Sequence, residues 1–126
     1  MKRCWFGLGL LLCLLVGGLL VTRIMTKSHG ELSVLLDSAS AAAAREDWAE
    51  AETQLHGARR KWEADWHFSA AFADHEPMED MDGLFAQAEV YLRSRNPEAL
   101  AATCAQLARS AEAIGEAHAL NWSNLL

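Results

Sequence analysis

Beyond residue 22 this chain has a single cysteine, Cys104, and only two prolines, Pro77 and Pro97. One thiol excludes an internal disulfide there, so stability must come from packing. Val, Ile and Thr never cluster after residue 26, which removes the strand signal. Motifs that announce chemistry are missing as well. There is no glycine-rich phosphate loop, no Gly-x-Ser-x-Gly elbow, no His-x-x-x-His or Cys-x-x-Cys pair, and no Asp-x-Asp-x-Asp-Gly cation loop. The expectation is a non-enzymatic protein with no cofactor.

What the chain does have is Cys4 to Thr22, nineteen residues without a charge, between Lys2-Arg3 and Arg23. As a helix this run is about 28 Å long at roughly 1.5 Å per residue, close to the roughly 30 Å of a hydrocarbon core. A cleaved signal would stop after about 7 to 15 apolar residues at a small-x-small site. Here Leu8 to Val21 continues unbroken into Thr22-Arg23-Ile24, with no Ala-x-Ala, so a retained anchor is expected. Leu12 before Cys13 argues against a lipoprotein, and no Gly-x-x-x-Gly spacing marks a helix dimer. The basic start favours residues 1–3 as a cytoplasmic stub, 4–22 as the anchor, 23–30 as a linker and 31–126 as a helical domain outside the cytoplasm.

Charge divides at the same boundary. The +3 of residues 1–23 contrasts with 8 Lys or Arg against 17 Asp or Glu from Ile24 onward. So acidic a domain is a poor partner for nucleic acid and fits a membrane-associated module that meets another protein.

The fold class expected is all-α, an amino-terminal transmembrane helix followed by a small antiparallel bundle of three or four helices. Leu32, Leu35, Leu36, Ala39 and Ala43 recur at helical spacing. Gly30 offers a break between this helix and the anchor, although a continuous helix is the alternative. Asp47 with Glu50 reads as a capping box opening a helix that carries Trp48, Leu55 and Trp62 seven apart and runs to about Ala73. Pro77 opens a third stripe through Met78, Met81, Leu84, Phe85, Ala88, Tyr91 and Leu92, and Asn96-Pro97 a fourth through Leu100, Cys104, Leu107, Ala111, Ile114 and His118. The corners at Arg45-Glu46-Asp47 and Ser94-Arg95-Asn96 echo each other. Their spacing is too long for a tetratricopeptide unit, and two helical hairpins, loosely of that kind, are expected.

Trp62, Trp66-His67-Phe68, Asp74-His75-Glu76, Leu84 and the closing Asn121-Trp122-Ser123-Asn124-Leu125-Leu126 together resemble the family filed as domain of unknown function 4363. The resemblance covers most of the chain. It implies a short bacterial protein, mostly from spore-forming Gram-positive relatives, with one membrane helix, a helical domain and no established activity. It also implies an aspartate-histidine pair at Asp74-His75 and an asparagine at Asn124, with Trp122 standing where relatives carry a smaller residue.

The candidate partner surface is therefore Trp66, Asp74, His75, Trp122 and Asn124, beside the acidic corner that runs to Asp82. A metal-binding sensor or hydrolase using Asp74, His75 and Asp82 is the alternative, and a homo-oligomeric scaffold a third. Asp65, among apolar neighbours, is expected either at a solvated edge or paired with His118 or a backbone donor, and Cys104 is expected to be buried and inert.

Overall fold

A computed structural model describes residues 2–69 and 76–123; it describes no side chain for residues 2–4, 25, 67–69 and 118–123. Those residues form four helices: α1 (Lys2–Ala44), α2 (Trp48–Ser69), α3 (Glu76–Arg93) and α4 (Pro97–Ser123), with no strand among them. The chain is all-α, as the apolar periods require. The continuation of α2 from Ser69 toward Ala73 lies outside the described residues.

α1 does not break at Gly30. Its 43 residues form one rod, about 64 Å at roughly 1.5 Å per residue, and the segment 23–30 is part of it. A Cβ at Gly30 would meet nothing within 4 Å, so the glycine is a weak point of the helix and not a hinge. Its neighbours Ser28 and His29 are already packed, which holds the turn in place. The amino-terminal part of α1 is long and apolar enough to cross a membrane.

The four stripes meet in one core. Leu32, Leu36, Leu55, Met81, Phe85, Leu100, Cys104 and Leu107 are fully buried. The most extensive contact is between α1 and α4, followed by α1 with α2 and α3 with α4, whereas α2 and α3 meet mainly through long side chains. Small residues explain the first of these. Ala39, Ala42 and Ala43 of α1 and Ala108, Ala111 and Gly115 of α4 let the two backbones approach, and Ser40 donates to the Ala101 carbonyl at 2.8 Å.

Two corners of one design close the hairpins α1–α2 and α3–α4. At the end of α1, Glu46 takes a left-handed φ of 58°, its N–H reaches the Ala43 carbonyl at 2.9 Å and the Asp47 N–H reaches Ala42 at 3.0 Å. At the end of α3, Arg95 has φ 51°, and the N–H groups of Arg95 and Asn96 reach Leu92 and Tyr91. Each is a Schellman closure whose last residue caps the following helix. Asp47 Oδ1 accepts from the Glu50 N–H at 3.3 Å, and Asn96 Oδ1 from the Ala99 N–H at 3.2 Å. The capping box at Asp47 closes in one direction only, because the Glu50 carboxylate instead accepts from Gln54 at 2.7 Å. The sequence echo is thus the recurrence of one turn chemistry. The two corners are also neighbours, with the Arg95 guanidinium 5.9 Å from the Trp48 ring.

Neither left-handed position is glycine, which costs about 1 kcal/mol at each. Glu46→Gly is expected to raise stability by about that much and to lift the thermal midpoint by roughly 4–8 °C for a domain of this size. Circular dichroism melts of the full chain in mild detergent would measure it, and an unchanged midpoint would contradict the strain.

Candidate interaction surface

Apart from Trp48 at its start, the aromatic residues of α2 lie in its second half, on the turns that descend alongside the part of α1 next to the apolar run. Ser28 of α1 donates its hydroxyl to Asp65 Oδ2, and Lys61 Nζ lies 3.1 Å from Glu31 Oε2 and 3.9 Å from Asp65 Oδ2. Asp65 keeps 30% of its side chain exposed. It therefore stands at an edge and is paired as well, with Ser28 of α1 and with Lys61 on its own helix, and the Ser28 contact ties the first hairpin together; the side chain of His118 lies outside the described residues. The Lys61 ammonium, through its hydrogen bond and its charge, holds the Glu31 carboxyl below the usual carboxylate range.

Between α2 and α3 a cleft of about 340 Å³ is lined by Arg59, Trp62, Glu63, Trp66 and Asp82. Helical spacing places Arg59, Trp62, Glu63 and Trp66 on one side of α2. The Trp62 indole N–H donates to Asp82 Oδ1 at 3.0 Å, and the Trp62 and Trp66 rings meet edge to face, 6.1 Å apart at 68°. Arg59 Nε donates to Glu63 Oε1 at 3.0 Å while its guanidinium lies 5.7 Å from the Phe85 ring. The cleft thus offers the half-buried Trp66 indole, backed by the buried Trp62, between the Glu63 and Asp82 carboxylates and the Arg59 guanidinium that Glu63 already engages, a setting for an amphipathic side chain. Of the contacts that build it, Trp62–Asp82 and Arg59–Phe85 join different helices, whereas Trp62–Trp66 and Arg59–Glu63, each four apart within α2, are visible in the sequence.

The predicted surface residues separate into three groups. Trp66 is half-buried, wedged against Trp62 and the core, so it is the wall of a cleft rather than a projecting contact. Trp122 lies in the last turn of α4, which places its backbone only. Asp74, His75 and Asn124 lie outside the described residues. Of the acidic corner, Glu76, Glu79 and Asp80 are exposed in the first turns of α3, where the helix dipole favours them.

For the alternative chemistry, Asp82 is engaged by Trp62, and among the described residues no group of three or more His, Cys, Asp or Glu could hold a metal ion. Cys104 is fully buried in the core, and burial pushes its thiol up to about 12. In a chain carrying Cys4→Ser and Cys13→Ser, iodoacetamide at pH 8 is expected to leave Cys104 unlabelled until denaturant is added. Rapid labelling of the native protein would contradict its burial.

Residues 19–125 fit the family model described as a domain of unknown function, DUF4363. No curated protein and no solved structure matches the chain.

Proposed function

The chain belongs to the DUF4363 family, and from that premise we propose that it is a non-enzymatic, single-pass protein of the bacterial cell envelope. Its amino terminus is cytoplasmic, its helical domain lies outside the cytoplasm, and the domain serves as an interaction or scaffold module for another envelope protein. The paired hairpins, loosely tetratricopeptide-like, supply the platform. The observation that carries this reading is the indole cleft between α2 and α3, which lies at the end of the bundle nearest the apolar run and suits an amphipathic segment of a partner.

A photo-crosslinking side chain placed at Glu79, exposed and three residues before Asp82 on the same side of α3, tests it in intact cells. One discrete protein adduct is expected there, reduced by Trp66→Ala with helix content retained, and none from the same probe at Arg45 on the opposite corner. Equal labelling from both positions would sink the reading. Protease treatment of intact and opened cells, followed on a carboxy-terminal tag, tests the topology separately. Digestion in intact cells is expected.

A further inference from the structure

The contacts between α1 and α4 fix an antiparallel register that can be followed toward the apolar run. Ser33 Oγ donates to Glu112 Oε1 at 2.8 Å, and one turn lower a Cβ placed on Gly115 would stand 3.1 Å from His29 Cβ. Seven residues further, about 10 Å at roughly 1.5 Å per residue, bring α4 to Trp122 and α1 to Thr22, the last residue of the uncharged run. α4 remains helical through Ser123. The carboxy-terminal turn of the bundle is therefore level with the end of the apolar segment.

Burial along α1 supports the same placement independently. Leu14, Leu15, Leu19 and Leu20 are exposed, as lipid-facing residues would be. Gly18 and Thr22 are half-buried instead. These two continue the face of His29, Ser33, Leu36 and Ser40 that α4 covers, since steps of four, seven and eleven residues return to one side of a helix. The Thr22 hydroxyl is satisfied internally by the Gly18 carbonyl at 2.9 Å, as a polar group at that depth must be.

Resting on the reading of Cys4 to Thr22 as a membrane span, we infer that the bundle stands directly on the bilayer and that the last turn of α4, with Trp122, is seated in its interfacial layer. The distance agrees. Ser28, which hydrogen-bonds Asp65 of α2, is six residues or about 9 Å above Thr22, and the headgroup layer outside the hydrocarbon is about 5–8 Å on each side. No spacer separates span and bundle, and the indole of tryptophan is the side chain most suited to such a boundary. Trp122 is then a contact with lipid, not with a protein partner, and α4 becomes a second, shallow foothold that restricts the tilt of the bundle.

The test uses the full chain in phosphatidylcholine vesicles containing a lipid with a doxyl quencher at carbon 5, which reports the interfacial region of both leaflets. Tryptophan emission of the natural chain is compared with that of Trp122→Phe, Trp5→Phe and Trp48→Phe, each difference giving the emission of one residue. Trp48, on the far corner roughly 35 Å above Thr22 at 1.5 Å per residue, serves as the remote control. The quencher is expected to reduce the Trp122 and Trp5 emission at least twofold and to leave that of Trp48 unchanged. Quenching of Trp5 without Trp122 would overturn the seating of α4 while the span stands, and would return Trp122 to the protein-contact surface. Failure to quench Trp5 would remove the span itself, and the seating with it.

Discussion

Phe85→Ala is expected to lower stability by about 3–5 kcal/mol, the range for removing a large buried aromatic side chain. Phe85 is the largest fully buried side chain among the described residues, and it lies on the α2–α3 seam, where the two backbones approach closely at few points. Its loss opens a cavity that neighbouring backbone has little reason to close. It also takes the ring from beneath the Arg59 guanidinium, which borders the cleft. Against the 5–15 kcal/mol typical of a domain this is a large fraction, and a fall in the thermal midpoint of more than 10 °C is expected. Phe85→Leu keeps most of the volume and should cost about 1.5 kcal/mol or less. Urea titration of the full chain in mild detergent, followed by circular dichroism, gives both values. A cost below 1 kcal/mol for the alanine variant would mean that Phe85 does not hold the seam.

The rows that fill the core could be read from spacing because a helix presents the same face every three or four residues, and Leu32, Leu55, Phe85 and Leu107 all lie where that period puts them. The two corners were equally legible, since Asp47 and Asn96 act on N–H groups only three residues away. Gly30 misled for the opposite reason. A glycine weakens a helix locally by about 1 kcal/mol, but the burial of His29 and Ser33 along the same turns of α1 outweighs that preference. The α3 wall of the cleft was illegible because its pairing with α2 is chosen by the relative register of two helices. Asp82 reads as one of several carboxylates near a helix start until α3 sets it against the Trp62 indole, twenty residues away. Asp65 likewise advertised the need for a partner, yet Ser28 lay in a segment that its composition marked as a linker. Membership of the DUF4363 family was carried by the short aromatic and acidic motifs themselves, and the family model extends it over residues 19–125.

Gly115→Leu should separate the proximal halves of α1 and α4. A Cβ at this position would already lie 3.1 Å from His29 Cβ, 3.5 Å from Cγ and 3.6 Å from Cδ2. The first of these atoms sits next to the backbone and can yield only if α1 moves. A leucine adds three more carbons to the same gap, so overpacking of about 1–3 kcal/mol is expected, with α4 displaced from Ser33 and His29. Gly115→Ala is the instructive comparison. It gains about 1 kcal/mol of helix propensity and meets only the Cβ contact, so the two effects nearly cancel and the melting temperature should hardly move. In a double-mutant cycle, His29→Ala removes Cγ and Cδ2 and should recover part of the leucine penalty, a coupling of at least about 0.5 kcal/mol in the compensating direction. Hydrogen exchange supplies the local readout. If this contact holds the lower part of α4 against α1, amides 116–123 should lose protection in Gly115→Leu while those near Leu100 keep theirs. Uniform loss would mean that the glycine supports the whole bundle, and no loss would place the lower part of α4 under the control of the membrane rather than of α1.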